Sequence, residues 1–244
     1  MIRSTLDAGV ASIALSRAEK KNALTPAMLA DLLRVVAEVT DEARVLLVQG
    51  EGDAFCSGFD LSLCRDDSDA LGQLLSGLSA VVLALRGTPI PVVMAAHGAA
   101  IAGGCALLGG ADIVVTNADA KLGYPVVKLG ISPAVSLPFL LPAVVASHAR
   151  ARALDHSLIS GSEAMRIGLA HECVAAAADV VPRARAIAAE IAAKPLSGLR
   201  ATKRWLNELD GTANSERAAR GLTASLSLVG SHEERARMAE LWKR

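Results

Sequence analysis

Between Gly87 and Ala111 the chain carries no formally charged residue, and the same holds between Leu129 and Ala149. Each stretch is long enough to be mistaken for a membrane span, which takes roughly 20 apolar residues. The first, however, contains Pro89, Pro91 and His97 together with Gly98, Gly103, Gly104, Gly109 and Gly110, and the second contains Pro133, Pro138 and Pro142. A helix in lipid must satisfy its own backbone groups, and punctuation of this density interrupts it. Both stretches therefore read as buried strands, turns and helix starts of a soluble core, with no membrane span.

The rest of the chain supplies the frame. Val10 to Leu15 reads as a strand, followed by the charged loop Arg17 to Asn22. Thr25-Pro26 then starts a helix whose apolar residues Met28, Leu32, Val35, Val36 and Val39 recur at helical spacing. Val45 to Val48 is a fully apolar strand running into the loop Gly50 to Leu61, and a helix is expected from about Asp69 to Leu85. Val92 to Ala96 is a second buried strand, ending in the turn His97-Gly98, and Ile101 to Leu108 opens as a buried helix. Asp112 to Thr116 reads as a strand and Lys121 to Pro125 as an edge segment. Helices follow, at Glu163 to Ile167, Val180 to Ala193 and from Pro195 to about Leu209. Alternating strands and helices up to about residue 130, then mostly helices, predict an α/β core with a helical C-terminal part. The boundary is placed at 190, giving a core over 1–190 and a helical oligomerisation region over 191–244.

Charge and composition exclude several functions. Lys+Arg and Asp+Glu number 25 each, so the net charge is zero, whereas nucleic acid or an anionic membrane calls for a basic excess. Two Trp, one Tyr and three Phe are too few for base-stacking platforms. Cys56, Cys64, Cys105 and Cys173 form no CxxC pair and read as buried free thiols. Arg3 and Asp7 interrupt any apolar leader, so a reduced, cytoplasmic location is expected.

Two glycine-bearing turns follow two buried strands. Gly98 to Gly104 is not a P-loop, because Cys105 and Ala106 stand where Lys and Ser/Thr belong, and its spacing is not that of a dinucleotide fingerprint. A turn into a helix start with Gly103-Gly104 does expose backbone N–H groups, which can stabilise an oxyanion; close helix packing explains paired glycines equally well. Ala54 to Asp60 is the second turn, in which Asp60 could simply cap the next helix. The five histidines show neither a nucleophile triad nor metal spacing, so no metal is expected. His97 beside a turn and Tyr124 beside Pro125 are candidates for chemistry, each with a structural reading as well. Lys20, Lys21 and Lys128 read as solvated charges.

In order along the chain, Arg17-Ala-Glu-Lys-Lys-Asn-Ala-Leu24, Ala54-Phe-Cys-Ser-Gly-Phe-Asp-Leu61, Pro91-Val-Val-Met-Ala-Ala-His-Gly98, Ile101-Ala-Gly-Gly-Cys-Ala-Leu107 and Leu122-Gly-Tyr-Pro-Val-Val-Lys-Leu-Gly130 resemble the enoyl-CoA hydratase/isomerase (crotonase) family. Ala111-Asp-Ile113, Glu163-Ala164 with Gly168-Leu169, and Lys194-Pro-Leu near Ala201-Thr-Lys203 extend the likeness over nearly the whole length. The resemblance implies a spiral of ββα units with a helical C-terminal part, assembled as a trimer or a dimer of trimers. It implies an acyl-CoA thioester as substrate, with coenzyme A arriving as part of that substrate and no separate cofactor. It puts the oxyanion-hole N–H groups at Phe59 and Gly103. CoA and acyl contacts would come from Lys20, Lys21, Asn22, Ala23 and Leu24, from Phe55, Ser57, Gly58 and Leu61, and from Gly104, Ala106, Val126 and Val127.

The sequence departs from the family where the chemistry is decided. The two usual glutamates are Ala106 and Val126, a third position where isomerases carry an acid is Ala134, and His97 replaces an Asn. Asp155-His156 stand for a Thr-Gly pair, and the basic-aromatic ending is cut short. A positioned acid or base is worth about 10²–10⁴-fold, so a standard hydratase activity is not expected. Three readings follow: decarboxylation of a malonyl-type thioester with Tyr124, His97 or Asp60 as the proton donor, a non-catalytic acyl-CoA carrier or sensor, or hydration and isomerisation by an acid from the Cys64 to Asp67 loop.

Overall fold

The computed structural model describes residues 1–243. Its elements in chain order are β1 (Ile2–Asp7), β2 (Val10–Leu15), α1 (Pro26–Thr40), β3 (Val45–Gly50), α2 (Ala70–Gly87), β4 (Val92–Ala96), β5 (Ala99–Ile101), α3 (Gly103–Leu107), β6 (Ile113–Asn117) and β7 (Lys121–Gly123). They continue with α4 (Leu137–Ala143), α5 (Ala146–Leu154), β8 (Ile159–Ser160), α6 (Gly161–Arg166), β9 (Glu172–Val174), α7 (Ala177–Ala192), α8 (Leu196–Asp210), α9 (Ser215–Leu226) and α10 (His232–Leu241).

Six strands form one sheet in the order β1-β2-β3-β4-β6-β9, and β5-β7-β8 form a second. In the larger sheet only the β1–β2 pair is antiparallel. Its central strands are covered on both faces. Ile13, Leu15, Leu46, Val48, Val92 and Met94 point into the main core with α1 and α2. Val10, Val45, Leu47, Val93, Ala95 and Val115 meet Val180, Ala184, Ile187 and Ile191 of α7. Burial on both faces explains why Val45 to Val48 is apolar throughout rather than alternating.

The uncharged stretch Gly87 to Ala111 is divided among a turn, β4, β5, α3 and a 3-10 turn. The helix that does meet the length and hydropathy of a span is α2, with mean hydropathy 1.4, half of it buried against the core. β1 was not expected: five of its six residues are exposed, so no apolar pattern marks it. It is held as an edge strand by the Ala8-Gly9 turn, both residues having positive φ as a tight hairpin requires. β9 has only three residues and is half-buried.

At the C-terminal end, Lys203 fixes α8 to the core. Its ammonium donates to the Ile90 carbonyl and to the Asp112 carboxylate, both at 2.8 Å. Burial lowers the Lys203 pKa, and Asp112 opposes that shift. The outer side of α8 leaves Trp205, Leu206 and Leu209 exposed. All four cysteines are free; Cys56 and Cys105 are buried as expected, whereas Cys64 and Cys173 are only half-buried.

Candidate active site

The turns after β3 and β4 meet at a cleft of about 240 Å³. Its walls come from Ser57, Phe59 and Leu61, from Ile101, Ala102, Gly103 and Ala106 at the start of α3, and from Tyr124 to Val126 after β7. Leu75 and Leu78 of α2 and Leu241 of α10 add apolar lining. A larger open groove of about 820 Å³ between the end of α2 and α8 shares none of these residues and is lined by polar groups such as Arg200, Arg204 and Asn207.

Several residues lining this cleft have a backbone N–H with no hydrogen-bond acceptor among the described residues: Phe59 and Gly103 on the two turns, and Tyr124, Lys128 and Ser132 beyond them. The directions of the first two follow from peptide planarity. The Gly58 carbonyl accepts from the Leu24 N–H at 2.7 Å, so in a trans peptide the Phe59 N–H points the opposite way. The Ala102 carbonyl accepts from the Ala106 N–H at 2.9 Å, which leaves the Gly103 N–H pointing out of the first turn of α3. Ala102 pays for this with φ 50 and ψ −112, a conformation rarely adopted by a residue with a side chain.

The glycines here are sterically required. A Cβ on Gly104 would lie 2.3 Å from the Cys56 carbonyl oxygen. A Cβ on Gly98 would lie 2.0 Å from that of Asp53, and Gly98 also has φ +64. A Cβ on Gly103 would press on the Phe59 ring at 2.9 Å, which shows how closely the two turns approach.

The loop Arg17 to Leu24 is fastened to the first turn. The Asp60 N–H donates to the Leu24 carbonyl at 2.9 Å, and the Ser57 N–H to that of Lys21 at 2.9 Å. Asn22 is fully buried, its side chain accepting from the Arg17 N–H and donating to the carbonyls of Glu51 and Ala54. Lys21 and Asn22 both have positive φ. Lys20 and Lys21 are exposed, Ala23 and Leu24 are buried, and Phe55 is buried beneath the turn. None of these five lines the cleft, and neither does the exposed Val127.

Ionisable groups at the cleft are few. Ala106 and Val126 both line it, and among the described residues its ionisable side chains are Tyr124 and the exposed Lys128. The Tyr124 hydroxyl donates to the Cys105 carbonyl at 3.3 Å. Burial raises the Tyr124 pKa well above its ordinary value, and neighbouring Cys105 adds to the shift. The ring also borders a second cavity of about 140 Å³ with Arg86, Asp112 and His171. His97 is outside the cleft, its Nε2 lying 2.9 Å from the Gly52 carbonyl oxygen. Asp60 is outside it too. It caps no long helix: α2 starts at Ala70, and the Asp60 carboxylate instead holds the Ser62 hydroxyl and Arg17. Burial pulls the Asp60 pKa upward, but the Ser62 and Arg17 contacts outweigh it and hold it below the usual range.

Leu75, Leu78 and Leu241 were not legible as site residues. The first two look like any core positions of an apolar helix, and Leu241 is distant in sequence from everything it faces. No group of three His, Cys, Asp or Glu among the described residues is placed to hold a metal ion.

Comparison with known proteins points the same way along nearly the whole chain. A family model described as enoyl-CoA hydratase/isomerase matches residues 5–239. A probable enoyl-CoA hydratase of Rhodobacter capsulatus is 33% identical over 209 residues, covering 83% of this chain and 79% of that protein. Among solved structures, an enoyl-CoA hydratase/isomerase from Mycobacterium paratuberculosis superposes with a TM-score of 0.89 at 26% identity, over 98% of this chain and 97% of its own. One from Xanthobacter autotrophicus gives 0.87 at 27%, over 99% and 93%.

Proposed function

Since this chain belongs to the enoyl-CoA hydratase/isomerase family, we propose that it binds an acyl-CoA thioester in the 240 Å³ cleft, with the carbonyl oxygen between the N–H groups of Phe59 and Gly103. The reading is carried by one observation: the turns of Phe59 and Gly103, both with N–H groups that find no acceptor, approach each other closely at an apolar cleft lined by no carboxylate. Negative charge developing on the thioester oxygen is stabilised there, in surroundings where each donor is worth about 10²–10³ in rate. With Ala106 and Val126 at the glutamate positions, nothing in the cleft activates water, so efficient hydration is not part of the proposal. Exposed Lys20 and Lys21 suit the nucleotide phosphates. The exposed Trp205, Leu206 and Leu209 of the region 191–244 suit packing against further copies, as a cytoplasmic trimer or dimer of trimers.

Tyr124 favours decarboxylation of a malonyl-type thioester as the second reading. Carbon dioxide leaves with its carbon–carbon bond broken, the electron pair becomes the enolate held by the two N–H groups, and a proton returns to carbon 2. The Tyr124 hydroxyl is the protonated side chain that lines the cleft beside Val126 and could return that proton. If instead no thioester is turned over, the same cleft serves as a carrier or sensor pocket.

Acetoacetyl-CoA tests the binding mode, because its enolate is a conjugated chromophore and its carbon-2 proton is acidic enough to leave to buffer. An ultraviolet difference band of the enolate on mixing with protein is the expected outcome. Binding without that band would remove the oxyanion hole, and no binding at all would overturn the proposal.

A further inference from the structure

Arg17 spans the contact on which the Phe59 N–H depends. One guanidinium nitrogen donates to the Ala23 carbonyl at 2.9 Å, and another to the Asp60 carboxylate at 2.7 Å. Ala23 precedes Leu24 and Asp60 follows Phe59, while Leu24 and Phe59 form an isolated bridge between the two loops. The guanidinium thus ties together the residues on either side of that bridge. Arg17 and Asp60 are 16% and 11% exposed, so the pair is shielded from solvent and weakly screened by salt. A lysine reproduces this poorly, because its donors all sit on one nitrogen, whereas Arg17 reaches the two acceptors from two separate nitrogens of a rigid planar fork.

We infer that Arg17 and Asp60 are positioning residues: they hold the Gly58–Phe59 peptide so that its N–H faces the thioester oxygen, and they couple the loop Arg17 to Leu24 to the oxyanion hole. This rests on the binding mode proposed above. Asp60 is therefore a fixed carboxylate and not a proton donor. Its position outside the cleft and its engagement by Arg17 and Ser62 both fit that role.

The test compares Arg17→Lys, Arg17→Ala and Asp60→Asn with the unaltered protein in two titrations, one with free CoA and one with acetoacetyl-CoA. Free CoA does not use the hole, whereas the enolate band does. For Arg17→Lys and Asp60→Asn, CoA affinity is expected to stay within roughly threefold. Their enolate band should fall by about tenfold, short of the ~10²–10³ for loss of a donor, with Arg17→Ala lower still. A band of unaltered intensity in folded Arg17→Lys and Asp60→Asn overturns the inference. So does a parallel loss of CoA affinity and band, which is what general loosening gives. If the unaltered protein binds acetoacetyl-CoA without a band, the binding mode itself has failed, and that outcome is distinct from both.

Discussion

Two sets of residues at the cleft are built on opposite principles. In one, the turns carrying Phe59 and Gly103 are held by backbone hydrogen bonds, buried Asn22, the Arg17–Asp60 pair and glycines that admit no Cβ. In the other, Ala106, Val126, Leu75, Leu78 and Leu241 offer apolar surface and nothing that moves a proton. Under the proposed binding mode, stabilising a charge and transferring a proton are separable parts of this site. The first rests on backbone N–H groups and on the residues that hold their turns in place; the second resides in one or two side chains and is removed by single substitutions.

The contrast is broken most strongly by returning carboxylates to the inert set. The Ala106→Glu/Val126→Glu variant is expected to raise crotonyl-CoA hydration by about 10² or more over the unaltered protein, the contribution of a positioned acid or base. A folded double variant with no gain would mean that the inert set lacks more than its carboxylates.

The rigid set is broken sterically. Gly98→Ala places a Cβ against the Asp53 carbonyl in a left-handed conformation, and a loss of about 1–3 kcal/mol is expected in urea unfolding, with the enolate band lost in parallel. A band of normal strength would show that the turn tolerates displacement.

Two buried thiols sharpen the comparison through pH. Burial raises Cys56 and Cys105 to about 12 from a usual 9.0, so the unfolded chain releases these protons first. Stability from both is fully present below pH 9 and is lost as pH rises toward 12, at up to about 1.4 kcal/mol per pH unit for each thiol. Denaturation midpoints between pH 8 and pH 11 should fall less steeply in Cys56→Ala/Cys105→Ala than in the unaltered protein; equal slopes would contradict this assignment.

The smallest effect is expected from Tyr124→Phe. Losing the bond to the Cys105 carbonyl costs about 0.5–1.5 kcal/mol. Under the decarboxylation reading malonyl-CoA turnover also falls while CoA affinity holds, and unchanged turnover would remove Tyr124 as the proton donor.

How much of this was legible in the sequence follows the same division. The buried parallel strands announce themselves as apolar runs because both faces are covered, and Thr25-Pro26 marks the start of α1, where the Thr25 hydroxyl accepts from the Met28 N–H. Ala106 and Val126, singled out in the sequence through the family resemblance, both line the cleft. β1 was not legible, since an exposed edge strand needs no apolar pattern. The Arg17–Asp60 pair was not either: 43 residues separate the partners, and nothing local to either one signals the other. Leu241 reaches the cleft only because α10 folds back over Gly130, where a Cβ would lie 2.9 Å from the Glu234 Cα.

The most direct measurement is a proton NMR time course of crotonyl-CoA with stoichiometric protein in deuterated buffer. Broadened thioester resonances with no new species are the expected result, reporting a cleft that binds the substrate and adds no water. Rapid appearance of 3-hydroxybutyryl-CoA would contradict it and require a base that the set of Ala106 and Val126 does not contain.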